Sequence, residues 1–297
     1  MEFVIQQKPR VSVCIPTYRG EATIGAAISS VLVQSFRDLE LVVIDDGSSD
    51  KTRSIVEEFS DPRLTYIRNA NNLGPEKNWN RCLEIAQGKY FKLLPHDDLL
   101  HPRCLERQIS VLEADQDESL ALVFCARSVL GPDGTVLTHR GYPVKREGVI
   151  EGGVLQRSCV RRGTNLIGEP GSVLFRRTLA RRIGSFDATN PYVIDLDYWF
   201  RLLAHGDAFY FPEPLASFRV STSSWSFAIG KNQDRDFLEF VTRVSPGLKT
   251  PISRSDLALA RITSRINKWL RLVFYSVYLK MSLFQRYGTK VRNKNRG

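Results

Sequence analysis

The sequence contains few residues of the kind that make covalent cross-links or metal centres. Its 297 residues include four histidines and five cysteines, and the cysteines form no CxxC pair and show no zinc-ligand spacing. A zinc centre is therefore not expected. Reduced thiols in a cytoplasmic protein are the simplest interpretation, and Met1–Arg10 lacks the apolar stretch of a signal peptide.

Glycine-rich phosphate-binding motifs are also absent. The chain contains neither GxxxxGK[ST] nor GxGxxG, the loops that bind phosphates in P-loop hydrolases and dinucleotide oxidoreductases. Their absence counts against both classes of protein. A nucleotide held by acidic residues and a divalent cation fits this sequence better than one held by a glycine loop.

Excess positive charge is missing from most of the chain. The net charge is +10, yet the first 250 residues hold 31 basic and 31 acidic residues, whereas residues 251–297 hold eleven bases and one acid. A basic core that would bind nucleic acid is therefore not indicated, and we expect no nucleic-acid partner.

The first hundred residues alternate between short apolar runs and segments with helical spacing. The predicted strands are Val11–Ile15, Leu39–Ile44, Leu64–Ile67 and Lys89–Leu94, and predicted helices begin near residues 24, 52, 76 and 102. This order of strand and helix, with continuously apolar strands, predicts a parallel sheet with helices on both faces.

The pattern becomes mixed from about residue 121. Strands are predicted in LVFCAR and SVLFRR, a hairpin turn at GPDGT, a helix over Asp195–Ala204 and an extended segment over Phe209–Val220. The chain ends in a predicted amphipathic helix with a basic flank over residues 255–287. Because charged residues interrupt its apolar stripe, this helix is too charged to span a membrane.

Pairs of carboxylates directly follow two of the predicted parallel strands, as Asp45–Asp46 and Asp97–Asp98. In open parallel sheets, ligands bind beyond the carboxyl ends of the strands. Clustered carboxylates raise one another's pKa unless a cation neutralises them, so Asp97–Asp98 predicts a Mg²⁺ or Mn²⁺ site that holds a diphosphate. Asp45–Asp46 is expected to accept a hydrogen bond from a base or ribose, although Asp45 could equally hold a turn.

Several ordered motifs resemble family 2 glycosyltransferases over roughly residues 10–225. They are IPTYRGEATIGAAISSVLVQSFRDLELVVIDDGSSDKT, NNLGPEKNWNRCLEIAQGKYFKLLPHDDLLHPRCLE, GEPGSVLFRR, GSFD and DLDYWFRLLAHG. The resemblance implies an α/β protein of GT-A type, with a Rossmann-like, mostly parallel sheet, a mixed second half and a C-terminal helical extension. It also implies inverting transfer of a sugar from a nucleotide-diphosphate donor to an acceptor hydroxyl.

The resemblance also implies roles for particular residues. Carried over by position, the residues around the nucleotide would be Pro16, Thr17, Tyr18, Asp46 and Asp97, the metal ligand would be Asp98, and the catalytic base would be Asp195. Asp197 is a close rival as the base. The family often has an acid where Pro95 or His96 stands, and a histidine where Ser221 stands, so a role for Arg219 in diphosphate binding is left open.

The expected organisation is a GT-A domain over residues 1–225, with a nucleotide-binding half over about 10–115 and an acceptor half over about 116–225. A helical region would follow over 226–297, with its basic tail from 251. Expected partners are a nucleotide-diphosphate sugar and a saccharide or lipid-linked acceptor of surface polysaccharide or glycolipid synthesis.

The basic tail is expected to contact an anionic membrane on the cytoplasmic side, to pack on its own domain or to bind a partner, and membrane contact is slightly favoured. Trp225 is a candidate for stacking on a sugar. Two alternatives stay open at this point: a nucleotide-sugar-binding module without turnover, and a nucleotidyltransferase.

Overall fold

The apolar and polar patterns of the sequence correspond to strands and helices in the structure, which is a computed structural model. The structure describes residues 8–220 and 232–294, and the side chains of the last helix up to residue 274. The strands are β1 Val11–Thr17, β2 Leu39–Asp45, β3 Leu64–Arg68, β4 Tyr90–Leu93, β5 Leu99–Leu100, β6 Leu120–Leu130, β7 Val136–Arg140, β8 Gly148–Ile150, β9 Val173–Arg176 and β10 Asp207–Arg219. The helices are α1 Ile24–Leu32, α2 Thr52–Glu57, α3 Pro75–Ile85, α4 Cys104–Ala114, α5 Gly152–Arg162, α6 Arg177–Ile183, α7 Ile194–Leu203, α8 Gln233–Val244 and α9 Arg254–Lys294.

The strands form one sheet in the order β3-β2-β1-β4-β9-β6-β10-β5. The first four of these strands are parallel, as the strand–helix alternation predicts, because parallel neighbours need a crossover connection between them. Strand β9 is antiparallel to both β4 and β6, so the second half of the sheet is mixed. The predicted α/β class with a mixed second half is confirmed.

Each face of the sheet is covered by its own apolar core. Alternate residues of β1 point to opposite faces, so Val13 and Ile15 pack in one core while Cys14 packs in the other. Helices α1 and α4 cover the first face, and α3, α5 and α7 cover the second. The central strand β6 is buried along its whole length, which is expected of a strand covered on both sides.

The C-terminal helix α9 packs on α5 and α8 through polar contacts. Asp256, which is 1% exposed, accepts hydrogen bonds from Arg157 Nε at 2.9 Å and from Ser253 N at 3.0 Å. Lys268 Nζ donates to Asp234 Oδ1 of α8 at 2.9 Å. At least part of the basic tail therefore packs on its own domain, one of the three possibilities considered from the sequence.

Some expectations fall outside the described residues. Residues 221–231 include Ser221, Trp225 and the predicted domain boundary at 225–226. The proposed division into domains, and the stacking role of Trp225, stay predictions. Within the described ranges, no helix combines the length and the apolarity that crossing a membrane requires.

Candidate functional site

The carboxyl ends of β1, β2 and β4 meet at one edge of the sheet. The turn after β1 is joined to the turn after β2 by Asp46 N, which donates to Thr17 O at 2.8 Å, and by Arg19 N, which donates to Ser48 Oγ at 2.9 Å. The turn after β4 also approaches closely, since a Cβ on Gly20 would overlap Thr17 Oγ1 and lie 3.0 Å from His96 Cδ2. The three turns that the sequence singled out therefore converge.

Both carboxylates after β2 accept hydrogen bonds from neighbouring residues. Asp45 accepts from Ser48 N at 2.9 Å and from Tyr66 Oη at 2.6 Å, so it holds the turn, the structural role considered for it. Asp46 accepts from Asn69 Nδ2 at 2.6 Å and from the backbone N–H groups of Leu73 and Gly74 at 2.8 and 2.9 Å. Its carboxylate orders the segment before α3, and its contact with a nucleotide stays a prediction.

The end of β1 offers one polar group that is buried without a partner. Thr17 is 2% exposed, and its hydroxyl has no hydrogen-bond partner within the ranges that the structure covers. Pro16 is buried beside it, and Tyr18 is 42% exposed with Arg19 5.3 Å from its ring centre. An unsatisfied hydroxyl beside an exposed aromatic ring is suited to a polar ligand with a planar base.

Asp98 is an almost fully buried carboxylate at this edge. Burial raises its pKa well above the usual value, and the charges of Asp97 and Glu169 raise it further, against a hydrogen bond from Arg219 N at 3.0 Å. The Arg219 guanidinium donates to the backbone oxygens of Asp97 and Gly131, at 3.0 and 3.1 Å. Arg219 therefore fixes the Asp97–Asp98 turn in this structure.

The Asp97–Asp98 pair fits a divalent cation in its charge, and one oxygen of the buried Asp98 carboxylate is not engaged by Arg219. Asp98 Oδ1 is occupied by Arg219 N, whereas Oδ2 faces Gly171, where a Cβ would lie 3.9 Å away. A cation would offset the repulsion that raises the pKa of Asp98. Among the described residues, no three acidic, histidine or cysteine side chains are grouped closely enough to hold a metal, so substrate phosphates and water would have to complete the coordination.

Asp195 lies at the start of α7 in the wall of a 590 Å³ cavity. Its carboxylate accepts from Asn165 Nδ2 at 3.0 Å and from Leu196 N at 2.7 Å. Burial and the nearby charge of Glu169 raise its pKa to about 7, against the opposing effects of the Leu196 N–H and Arg127. A carboxylate that changes protonation near neutral pH is suited to accept a proton from a hydroxyl.

Asp197 has a different environment from Asp195, although it is only two residues away. It is 5% exposed and accepts from Arg201 Nε at 2.9 Å and from Arg243 Nη2 at 2.8 Å. The pair with Arg201 lies within α7, and the pair with Arg243 ties α7 to α8. Asp197 is not among the residues that line the cavity, so the geometry favours Asp195 of the two.

Glu169 and Arg127 are site residues to which the sequence interpretation assigned no role. Glu169 lies in the GEPGSVLFRR segment and forms a close ion pair with Arg127 of β6. Its charge raises the pKa of both Asp98 and Asp195, so it lies near each of them. Burial opposes its ionisation, but Arg127 and Arg140 more than offset this and lower its pKa. The only signal in the sequence was its position inside a family motif.

Comparison with protein families agrees with this geometry. The model of glycosyl transferase family 2 matches residues 12–184. An uncharacterised protein of Mycobacterium tuberculosis is 30% identical over 274 residues, which cover 90% of this chain and 84% of that protein. An uncharacterised glycosyltransferase of Rickettsia typhi is 30% identical over 212 residues, but these cover only 64% of its length and 71% of this chain.

A third relative is similar over a shorter segment. The UDP-Glc:alpha-D-GlcNAc-diphosphoundecaprenol beta-1,3-glucosyltransferase of Escherichia coli is 43% identical over 102 residues. This segment covers 34% of the present chain and 40% of the Escherichia coli protein. The likeness therefore concerns part of each protein.

Two solved structures have a similar fold. Residues 1–349 of S. aureus TarS superpose with a TM-score of 0.62 and 17% identity, covering 87% of this chain and 71% of that one. The mannosyltransferase PcManGT from Pyrobaculum calidifontis, in complex with GDP-Man and Mn2+, gives 0.58 and 19%, covering 95% and 85%. At these identities the likeness shows the fold, and the predicted GT-A architecture is confirmed. With the family model covering more than half of the chain, this protein is a glycosyltransferase that belongs to family 2.

Proposed function

We propose that this chain transfers a sugar from a nucleotide-diphosphate donor to an acceptor hydroxyl in one displacement that inverts the anomeric centre. The observation that carries the proposal is the segment from Glu169 to Gly171: Glu169 lines the cavity beside Asp195, and a Cβ on Gly171 would lie 3.9 Å from Asp98 Oδ2. A donor diphosphate at Asp98 and an acceptor hydroxyl at Asp195 would therefore flank a common space. Direct displacement needs this arrangement, with the leaving group and the base on opposite sides of the reacting carbon.

Asp195 acts as the general base in this mechanism. Its ionised carboxylate accepts the proton of the acceptor hydroxyl while that oxygen attacks the anomeric carbon. Asn165 and Leu196 orient the carboxylate through their hydrogen bonds. The orientation of Asn165 is itself fixed, because its side-chain oxygen accepts from the N–H groups of Ile167 and Gly168 at 3.0 and 2.9 Å.

The nucleotide end of the donor lies against the turns after β1, β2 and β4. Pro16, Thr17, Tyr18, Asp46 and Asp97 are its proposed neighbours, and the unpartnered Thr17 hydroxyl supports this assignment. Asp98, beside Asp97, would hold Mn²⁺ or Mg²⁺. When bound, the cation supplies positive charge that stabilises the departing diphosphate.

The acceptor is a saccharide, and a lipid-linked diphosphate saccharide is the specific form we favour. The name of the Escherichia coli relative describes such an acceptor for that protein. Synthesis of a surface polysaccharide or glycolipid would use this chemistry.

The function is tested by replacing each of the two acids at the start of α7. Sugar transfer and donor hydrolysis are measured with UDP- and GDP-sugars, and donor binding is measured separately by calorimetry. Asp195→Asn should lower transfer by about 10²–10⁴-fold, the usual contribution of a general base, with donor binding retained. Asp197→Asn is the matched control, and it should lower thermal stability while transfer continues.

Three outcomes would contradict this assignment. Equal transfer by the wild type and Asp195→Asn would exclude Asp195 as the base. Binding of nucleotide sugars without transfer from any donor would indicate a binding module. Release of pyrophosphate from a nucleoside triphosphate would indicate a nucleotidyltransferase.

The exposed side of α9 contacts an anionic membrane surface in this proposal. Ile266, Trp269 and Val273 are 51%, 68% and 57% exposed, and Arg261 and Arg265 are exposed on the same helix. Apolar side chains beside basic ones are typical of helices that lie in the membrane interface. A lipid-linked acceptor would make such contact useful, because the acceptor is confined to that surface.

Vesicle flotation tests the membrane contact with the full chain. Binding to phosphatidylglycerol vesicles should exceed binding to phosphatidylcholine vesicles, and Trp269→Glu with Val273→Glu should abolish it. Val149→Glu is the control, since Val149 is a 62% exposed residue of β8. Equal flotation of the wild type and the double variant would refute the contact.

A further inference from the structure

Lys92 of β4 is a fully buried lysine in the central part of the sheet. Its side chain is 0% exposed, and its amino group donates to the backbone oxygens of Gly171 and Val173 at 2.8 and 3.0 Å. Both acceptors are neutral groups. Burial of an ammonium group is costly unless hydrogen bonds compensate for the lost water, so these two bonds indicate a specific role for the side chain.

Lys92 lies where β4 and β9 stop pairing. The ladder between these antiparallel strands ends at the pair of Phe91 and Phe175, and Lys92 is the next residue along β4. Beyond this pair, the buried carbonyls at the start of β9 need another donor, because a buried carbonyl without a partner is costly. The Lys92 amino group is such a donor, and it bridges the gap that opens between the two strands.

Two further buried side chains bind the same segment. Gln108 Nε2 donates to Ser172 O at 2.8 Å, and the Cys125 thiol donates to the same oxygen at 3.5 Å. Ser172 also ties the segment to its beginning, since its hydroxyl donates to Glu169 O at 2.6 Å. The backbone oxygens of three consecutive residues, 171–173, are therefore held by side chains from β4, α4 and β6.

The segment 169–173 borders both halves of the proposed site. Glu169 lines the cavity beside Asp195, and a Cβ on Gly171 would lie 3.9 Å from Asp98 Oδ2. A displacement of this segment would move a charged residue relative to the proposed base and would alter the space next to Asp98. The geometry of the site therefore depends on what holds the segment in place.

We propose that Lys92 is a positioning residue, which holds the segment 169–173 so that Glu169 keeps its place beside Asp195. The inference rests on the proposed function and adds to it a residue that sets the geometry of the site from outside. Lys92 is not among the residues that line the cavity, so it acts through the segment. A misplacement of about 1 Å in a site can lower turnover by about 10²-fold.

The anchoring is measured by hydrogen exchange on the full chain. Lys92→Met keeps the length of the side chain but removes its hydrogen bonds, so the amides of residues 171–174 should exchange at least about tenfold faster relative to those of β1. Arg176→Met is the matched control. Arg176 is a buried cation of β9, but it donates to Leu112 O and Asp115 O at 2.8 and 2.9 Å, so its variant should leave this ratio unchanged.

The effect on catalysis is measured by the pH dependence of turnover, with Mn²⁺ and the UDP- or GDP-sugar that the wild type uses. Lys92→Met should lower the turnover rate at least about tenfold. It should also move the acidic limb to lower pH, because a mobile Glu169 is better solvated and acts less on Asp195. A loss of folded protein would lower the rate without moving the limb, and Arg176→Met should leave the limb in place.

Two thiols lie close to the Lys92 ammonium and need their own control. A hydrogen bond with Cys125 and the charge of Lys92 lower the pKa of Cys104 to about 7, against the effect of burial. Burial and Cys104 raise the pKa of Cys125, against the charge of Lys92. Cys104→Ser should leave the acidic limb in place. A limb that moves as far as in Lys92→Met would assign the effect to the thiol and overturn the proposal.

Gln108→Met provides a second variant of the same kind, for the case that Lys92→Met does not fold. It removes the bond to Ser172 O, and it should speed exchange of residues 171–174 and move the limb in the same direction. The action through Glu169 is tested by a double variant. In the Glu169→Gln background, adding Lys92→Met should move the limb no further.

The proposal is overturned if exchange of residues 171–174 is unchanged in both variants of the anchor, or if the acidic limb stays in place. It is also overturned if Lys92→Met moves the limb equally with and without Glu169. These failures are distinct from failure of the proposed function. If the wild type turns over no donor, the enzyme activity is refuted, and hydrogen exchange still decides whether Lys92 holds the segment.

Discussion

Asp195 must be ionised to act as a base, yet its surroundings oppose ionisation. Burial and Glu169 raise its pKa to about 7. The sequence identified Asp195 through a motif, and it could not identify Glu169, whose importance depends on its distance from two acids that are distant in the chain. A pKa also depends on burial and on neighbouring charges, which are properties of the folded site.

The first prediction concerns the pH dependence of transfer. The turnover rate should fall about tenfold per pH unit below about pH 7 and level off above it, because the base works only when deprotonated. Glu169→Gln should move this acidic limb to lower pH, since it removes a negative neighbour from Asp195. A pH–rate profile measures both, and a limb that stays in place or moves upward would contradict the assigned electrostatics.

The second prediction concerns the effect of Asp195 on the stability of the fold as the pH changes. Its pKa in the folded state is about 7, above the ordinary 3.8, so the unfolded chain releases the proton first as the pH rises. The free energy of unfolding should therefore fall between about pH 4 and 7, by up to about 4 kcal/mol from this group. Urea unfolding should show the wild type losing stability relative to Asp195→Asn over this range. A difference in stability between the two proteins that does not change with pH would contradict the prediction.

At the scale of elements, local patterns predicted the first half better than the second. The strands of the parallel half are short apolar runs bounded by turns, and their positions agree with the prediction. Helix α5 was not predicted, because it begins with Gly152 and Gly153, two residues that disfavour helix. Tertiary contacts stabilise it instead: Gly152 packs against the backbone oxygen of Leu203, and Leu155 is fully buried.

The third prediction concerns the contact between α5 and α9. Gly163 ends α5 with a φ of 59°, and a Cβ there would lie 2.8 Å from Ser264 Cα and overlap its nitrogen. Gly163→Ala should therefore lower the free energy of unfolding by about 1 kcal/mol for the backbone strain, and by more for displacing α9. It should also lower transfer, because Arg271 of α9 lines the cavity that contains Asp195. Thermal unfolding and a transfer assay measure the two effects.

Gly184 provides the control for this prediction. It follows α6 with a φ of 83°, and a Cβ there would meet no atom within 4 Å. Gly184→Ala should lower the free energy of unfolding only through backbone strain, and the rate of transfer should be unchanged. Equal losses of transfer activity in the two variants would mean that the position of α9 does not depend on close contact at Gly163.

At the scale of the whole molecule, the cleft lies where the parallel and mixed halves of the sheet join. Strand β4 leads to Asp98, and the segment before its antiparallel neighbour β9 carries Glu169. Lys92 of β4 is fully buried, and its amino group donates to the backbone oxygens of Gly171 and Val173 at 2.8 and 3.0 Å. The sequence could not predict that β4 and β9 are neighbours, because about eighty residues separate the two strands.

The fourth prediction concerns the cation. Thermal-shift measurements with UDP and GDP should show greater stabilisation when Mn²⁺ is present, about 2.7 kcal/mol at a hundredfold excess over the dissociation constant. Asp98→Asn should remove the increment due to Mn²⁺. Equal stabilisation with and without Mn²⁺ would contradict a metal-assisted donor site.

The stereochemistry of the product tests the central claim most directly. In the proposed mechanism, a donor diphosphate at Asp98 and an acceptor hydroxyl at Asp195 react by a single displacement, which reverses the configuration of the anomeric carbon. Proton NMR of the product formed at early times, from a donor of known configuration, should show only the opposite anomer. A product with the configuration of the donor would contradict the mechanism and the roles given to both carboxylates.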